Sequence, residues 1–361
     1  MLSILHRYIL GEISKYFLLV MVAVIGIYLA VDFFEKIDDF MENGVPLSRA
    51  LWFFILKTPL IISQITPVGI LLSVLITFGL MGKHNEIAAT SASGISIFYL
   101  SKPIIGMGIL ASILLFFFTE IFVPFSAYKS NDIWLNEVRK DQIESSRANE
   151  KDIWLKGPRS ISHIGHYNPH TKKLYRLTFN EFDEKFALKL RVDARMAFFR
   201  NGIWYLEEAL FQSIGDGEKP ADIQFFAERE YPLPYNPDEL RQVVKTSEEM
   251  NIIELYRHIR KIEMEGYDAR VYRVDFFAKF AFPLVCLVMS IMAAGISLRK
   301  ITGDGIGVSI AYGIGISFLF WFVFSFCRSL GYGEILPPAA AAWTADIIFL
   351  SLGAYSLLMA E

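Results

Sequence analysis

Cysteine is nearly absent. Cys286 and Cys327 are the only two in 361 residues, and both fall inside apolar runs, so there is no spacing for a disulfide framework or a thiolate metal site. Each reads as a small apolar residue. The chain also lacks G-x-x-x-x-G-K-[ST], H-E-x-x-H and G-x-S-x-G. Nucleotide hydrolysis, zinc proteolysis and serine-hydrolase chemistry therefore have no visible machinery here. Gly303-Asp304-Gly305 with Gly307 superficially suggests a phosphate loop, but the Lys and the spaced Ser or Thr are missing. Charge of one sign is scarce too: 35 basic against 38 acidic residues give a net charge of -3, too small a bias to draw in nucleic acid.

Apolar sequence, in contrast, is abundant and concentrated. Hydrophobic residues make up 53% of the chain and the mean hydropathy is +0.38. Crossing roughly 30 Å of hydrocarbon takes about 20 apolar residues in a helix. Six stretches qualify: 16–31 with an amphipathic lead-in from Ile4, then 51–81, 99–123, 276–298, 306–327 and 338–359. Lys57, Lys279 and Asp346 sit inside or at the edges of these runs, where a long side chain is expected to snorkel to the interface. No facing pair of polar residues marks an intramembrane enzyme. The first stretch is long and no small-residue cleavage site follows it, so it is expected to stay as a span.

The short connections set an orientation. Arg7 and Lys15, Lys83 and Lys102, and Arg299 and Lys300 share one side of the membrane, while Asp32, Glu35, Asp38, Asp39 and Glu42 mark the other. The positive-inside rule makes both termini cytoplasmic and turns the long polar insertion outward. The expected organisation is three spans over residues 1–123, an outward module over 124–270, and three spans over 271–361.

Within the insertion the period changes to that of strands. Runs such as 152–155, 173–179, 186–192, 202–206 and 223–229 are rich in aromatic and β-branched residues, separated by turn signals at Gly157-Pro158, Asn168-Pro169, Asn201-Gly202 and Gly215-Asp216-Gly217. Six to eight strands in one all-β unit, a sandwich or open jelly-roll, are expected. Its apolar face is either plain core or an open groove for a lipid chain. His163, His166 and His170 invite a metal reading, yet with no Cys nearby they read better as exposed loop histidines. After Pro232-Leu233-Pro234, the apolar residues Ile252, Leu255, Tyr256, Ile259 and Ile262 recur at helical spacing, and Gly266 is placed to end that amphipathic, membrane-surface helix.

Two further patterns point to partners. Gly303, Gly307, Ala311 and Gly315 form a small-residue stripe, as do Gly69, Ser73 and Thr77; both predict close helix contact, within the chain or with another one. In the link after the second span, Glu86 begins a short helix of small residues that Gly94 stops. A solvated loop needs no such face, whereas a helix docking into a groove does.

Asn85-Glu86-Ile87 followed by Ser91-Ala92-Ser93-Gly94, the opening Arg7-Tyr8-Ile9, the run Gly266-Tyr267-Asp268-Ala269-Arg270 and Leu336-Pro337-Pro338 together resemble the LptF/LptG family of lipopolysaccharide export permeases, with the LptG side nearer. The resemblance covers essentially the whole chain. It implies an α-helical inner-membrane protein with six transmembrane helices and an inserted periplasmic jelly-roll, a non-catalytic subunit of an ATP-driven transporter. The implied partners are an LptF-like permease, a dimer of the cytoplasmic ATPase LptB that binds the ATP, LptC beside the first span, and the LptA bridge. No cofactor or metal is implied for this chain itself. Glu86 would engage the ATPase, with Ala92, Ser93 and Gly94 packed in its groove. Lipid A phosphates call for cations at the outer ends of the gate helices. The first span's outer end is mostly acidic here, which leaves Lys36 with Lys57, Lys129, Arg139 and Arg328 as candidates. Acyl chains would meet Ile27, Tyr28 and Val31, and Phe318, Trp321 and Phe322. The competing reading is a membrane adaptor whose β-domain binds an envelope partner without any transport.

Overall fold

The computed structural model describes residues 4–138, 153–168, 171–214, 222–237, 240, 245–264, 266, 268–299 and 306–359. They divide into a helical unit (1–131, 247–260 and 268–361) and a second unit (132–246 and 261–267) built on a sheet. Arg139, His170 and Gly303 lie outside the described residues.

The helical unit contains α1 (Ile4–Glu42), α2 (Leu47–Lys83), α3 (Glu86–Ala92), α4 (Ile97–Ile133), α6 (Arg270–Arg299), α7 (Ile306–Tyr332) and α8 (Pro338–Leu358), together with the first turns of α5 (Ile252–Met264). All of these except α3 and α5 are long and apolar enough to span a bilayer. Proline marks two of the starts: Pro46 caps α2, and Pro338 takes the first turn of α8, where a missing N–H costs nothing. The third apolar run continues as helix past Val123 to Ile133, with Ser126 and Ser130 turned inward and Lys129 outward.

α2 and α6 form the centre, with 61% and 67% of their apolar windows buried, against 17% for α1 and 28% for α7. α6 runs parallel to α8, since contacts advance together along both helices from Ala281 and Ala342 to Met292 and Gly353 and then Gly295 and Leu357. Gly295 has to be glycine-sized, because a side chain there would strike the backbone of Gly353 and Leu357. The two small-residue stripes behave differently. Gly69 meets Phe17 and Met21, and Ser73 and Thr77 are buried, so that stripe serves contacts inside the chain. Gly307 and Gly315 face open space and Ala311 is exposed, while Gly313 alone on that helix admits Leu72.

The second unit carries six antiparallel strands in chain order: β1 (Ile153–Lys156), β2 (Ser160–Asn168), β3 (Lys173–Phe182), β4 (Leu188–Arg200), β5 (Ile203–Ser213) and β6 (Asp222–Tyr231). The chain is thus a helical membrane protein with an inserted all-β unit, and among the described strands the sheet is an uncrossed meander. The Asn201-Gly202 signal falls on the β4–β5 turn, with both residues at positive φ. The β4 run extends eight residues beyond Val192, and Phe186 lies in the preceding turn at φ 60 instead of in the strand.

Simple alternation fails along one row of the sheet. Before it, inward residues include Leu174 on β3, Val192 and Ala194 on β4, and Trp204 and Leu206 on β5; beyond it they are Leu177 and Phe179, Ala197, and Ala209 and Phe211. The phase changes at Gly165, Arg176, Arg195 and Glu208, neighbouring positions on successive strands that the ladder skips. Arg176 and Glu208 take left-handed φ values of 54 and 49, which turn the next side chain back to the same face. Gly165 leaves room for the Arg176 guanidinium, and Arg195 pairs with Glu207 and Glu208. The inward face is filled: Ile164, Leu174, Val192, Ala197, Leu206 and Ala209 are fully buried, and Leu233, Tyr235 and Leu240 pack over them. Trp204 Nε1 donates to the Tyr235 carbonyl at 2.9 Å and Tyr167 Oη to the Pro237 carbonyl at 2.9 Å, locking that cover in place. The apolar face is therefore core. His163 and His166 are strand residues of β2, not loop residues, stacked near Trp154 and Tyr175; no metal-binding group occurs among the described residues.

Candidate functional site

Three regions of the helical unit carry the candidate residues. At the α2–α4 link, Asn85 at φ 59 ends the turn after α2 and Glu86 opens α3, an acidic first residue that suits the partial positive charge of a helix start. Ile87 is the buried anchor of this helix, in the same core as Ile9 and Ile13 of α1, Phe78 and Met81 of α2 and Leu100 of α4. The opposite side of α3 is small and exposed: Ala88, Ala89, Ala92, Ser93 and then Gly94, which reverses the chain at φ 76. Tyr8 Oη donates to Glu86 Oε2 at 3.1 Å, so the carboxylate is held by the foot of α1. His6 stacks on Tyr99 at 4.4 Å, a second tie between α1 and the start of α4.

At the far ends of α1 and α2, Lys36 and Lys57 do not stand apart. Both ammonium groups converge on Asp32, at 2.5 Å for Lys36 and at 2.7 and 2.9 Å for Lys57. Asp32 is 5% exposed, so the acidic stretch that argued against a cation site contributes the group that assembles one. Two ammonium ions around one carboxylate leave one net positive charge on the trio. Phe53 lies beneath both, 6.0 Å from each Nζ. Lys57 therefore pairs inside the protein instead of snorkelling.

Arg328 of α7 is committed to its neighbours. Its Nη2 donates to Asp275 Oδ1 at 2.7 Å and to Tyr332 Oη at 2.5 Å, and Tyr332 donates in turn to Asp275 at 2.5 Å. Arg328 is thus held by two neighbours, Asp275 in an ion pair and Tyr332 by a hydrogen bond, unlike the exposed Lys129. Lys129 is exposed, with its ammonium 4.3 Å over the Phe125 ring. Arg139 lies outside the described residues. Among the apolar candidates, Ile27, Tyr28, Val31, Phe318 and Phe322 are exposed by 41–69%. Trp321 turns inward instead, 5.9 Å from Phe282 and 5.8 Å from Phe324, because the larger ring fills the α6–α7 contact.

Several polar groups escaped the sequence reading. Asp32 and Lys36, Arg328 and Tyr332, and Asp275 and Lys279 are each four residues apart, the spacing of neighbours on one helix face, and that signal was available. Their cross-helix partners were not. Lys279 meets Glu120 of α4 at 3.6 Å, and Glu120 Oε2 also accepts the Ile252 N–H at 2.7 Å, anchoring the start of α5. Asn251 Oδ1 caps the same helix through Glu254 N–H at 2.8 Å. Asp346 of α8 is 4% exposed and neither carboxyl oxygen has a hydrogen-bond partner among the described residues, so it is buried and does not reach an interface.

The geometry offers no nucleophile–base pair, metal cage or nucleotide cradle among the described residues. It offers a short helix with a small exposed face at one end of the bundle, a compact cation cluster at the other, and long exposed apolar faces on α1, α4 and α7. A family model described as the lipopolysaccharide export system permease LptF/LptG matches residues 7–359. No curated protein matches the chain.

Proposed function

The chain belongs to the lipopolysaccharide export system permease LptF/LptG family, and from that premise we propose that it is one of two permease subunits that lift lipopolysaccharide out of the inner membrane. The family match over residues 7–359 is the observation that carries this reading. In this reading both termini are cytoplasmic and the sheet is periplasmic. ATP is bound and hydrolysed by a separate ATPase dimer of the LptB kind, which grips α3. Glu86 supplies the charged contact and Ala92, Ser93 and Gly94 the close-packing face. Tyr8 ties Glu86 to α1, so a displacement of α3 is passed to the helix that would line the lipid path.

The second permease would face α1 and α7. Both carry long exposed apolar stripes, as α4 also does, and α7 adds the outward small residues Gly307, Ala311 and Gly315. Ile27, Tyr28, Val31, Phe318 and Phe322 would meet acyl chains there. The Asp32–Lys36–Lys57 cluster, with its one net positive charge, would attract a lipid A phosphate, where a charge-assisted hydrogen bond is stronger than a neutral one. Lys129 is the further exposed cation. On the sheet, β6 is paired on one side only among the described residues, and eight of its ten residues are exposed, Phe226 and Tyr231 being half-buried against the core. It would receive the strand of an LptC- or LptA-type partner by strand addition.

Co-purification tests this. The chain is expressed with the LptB- and LptF-type proteins of its own genome, as wild type and as Glu86→Ala. Loss of the ATPase from the variant alone, with the second permease retained, is the expected outcome. If the wild type retains no ATPase in mild detergent, the transporter reading fails and an adaptor role takes its place.

A further inference from the structure

The helical unit has an apolar groove on a side that the proposed export path does not use. It lies between α4, α6 and α8, has a volume of about 630 Å³, and is walled by Phe116 and Phe117 of α4, Phe276, Phe277 and Phe280 of α6, and Trp343 of α8. The expected export-facing residues sit on α1 and α7. Phe282, which contacts Trp321 of α7, is on another face of α6. The groove is therefore a separate feature of the fold.

Its shape follows from how α4 and α6 meet. At one end they touch closely, where Gly108 lies against Ser290 and Ser112 Oγ accepts the Leu287 N–H at 3.2 Å while donating to the Gly108 carbonyl at 2.9 Å. At the other end they are joined by the Glu120–Lys279 pair. Between Ser112 and Glu120, a rise of about 12 Å, bulky rings hold the two helices apart, and Phe116 and Phe280 approach only to 6.1 Å. Ser112 in the wall already has its donor and acceptor engaged, and the other polar group there is the Trp343 indole N–H. One N–H is too little to hold a water, which needs two to four polar partners when buried.

All three walls are membrane spans, so the groove opens where hydrocarbon is the solvent. A volume of this size lies within the range of about 300–1,000 Å³ typical of small-ligand sites. That is room for an acyl chain and too little for a partner helix, which is about 10 Å across with its side chains. The rim supplies a matching polar group. Lys279 stands one turn from both Phe276 and Pro283 on α6, and among the described residues its closest ion pair is the 3.6 Å contact with Glu120. Three donors and one long contact leave capacity for a phosphodiester or ester oxygen. We infer that this groove is a binding site for one acyl chain of a bilayer glycerophospholipid, with the lipid's phosphodiester or ester oxygens at Lys279.

The test uses the full chain in nanodiscs of palmitoyl-oleoyl phosphatidylethanolamine and phosphatidylglycerol, doped with a phosphatidylglycerol that carries a diazirine on one acyl chain. After photolysis, adducts are mapped by peptide mass spectrometry. The expected result is labelling of the 112–117, 276–284 and 343 peptides at least fivefold above that at Ile347 and Leu352, which are 60% and 52% exposed on α8. Leu284→Trp, a substitution at a partly exposed wall position, fills the groove and should cut groove labelling by at least fivefold while leaving Ile347 and Leu352 unchanged. Labelling equal to that of the control positions, or unaffected by Leu284→Trp, would reduce the groove to ordinary lipid-facing surface and overturn the assignment. Native mass spectrometry of protein purified from its own membrane supplies the second arm. A retained mass matching a glycerophospholipid supports the site, and a retained lipid A mass lost in Leu284→Trp would overturn the choice of lipid. Neither arm depends on ATPase docking or export.

Discussion

Asp32→Asn should set the two lysines of the cation cluster against each other. In the native protein both ammonium ions lie within 2.9 Å of one carboxylate. Removing its charge leaves two like charges about 4–5 Å apart, which at an effective dielectric near 20 repel by roughly 3–4 kcal/mol. Breaking a buried pair costs about 3–5 kcal/mol when the stranded charge stays buried. Here the lysine side chains keep 22% and 19% of their exposure. They can swing partly into water, so the net loss should be smaller, about 1–3 kcal/mol. Thermal unfolding in detergent should show a midpoint lowered by several degrees at about 2–4 °C per kcal/mol. Raising the salt should recover part of that loss by screening the repulsion. Adding Lys57→Met to Asp32→Asn removes one of the opposed charges and should restore much of the midpoint, although Lys57→Met alone, which removes an attractive pair, lowers it. That change of sign is the signature of coupling through one carboxylate. If Asp32→Asn melts with the wild type, or if the double variant is merely additive, the three groups do not act as a cluster.

Two other substitutions probe separate parts of the molecule. Asp346→Leu replaces an unpaired buried carboxyl with hydrocarbon and should raise the midpoint by the equivalent of about 1–3 kcal/mol; a lower midpoint would mean that the carboxyl has a partner in the folded protein. Trp204→Ala removes the largest fully buried side chain of the sheet core and strands the Tyr235 carbonyl. It should cost about 3–5 kcal/mol, read as faster amide exchange along β4 and β5, and unchanged exchange there would refute the central role given to that ring.

The extent of what could be read without coordinates depended on the range of the interaction. The α3 segment was legible because its signals are local: an acidic start at Glu86, small residues after it, and Gly94 as the stop. The β4–β5 turn was legible for the same reason, in Asn201-Gly202. The phase change along Gly165, Arg176, Arg195 and Glu208 was not, because it is a property of four strands in register and no one strand carries a glycine or proline at every point to announce it. Lys36 and Lys57 are visible in the sequence as cations beside an acidic stretch, but that Asp32 gathers both of them is visible only in the fold. The partners of Arg328, Asp275 and Tyr332, were not legible as a group, because Asp275 lies on another helix.

By itself the sequence determined six membrane spans, an all-β insertion, a short helix of small residues after the second span, and a family. Each of these is written in hydropathy, period or local motif, and a span or a strand follows from residues within about 20 positions of one another. Only the tertiary structure decided which charges are paired, which aromatic rings face lipid and which fill the interior, and where helices part to leave a groove. Asp32 meets Lys57 from 25 positions away and Arg328 meets Asp275 from 53, and such contacts are set by how whole helices pack. A buried charge costs too much to remain alone, but the rule states only that a partner is needed, and packing chooses which residue that is.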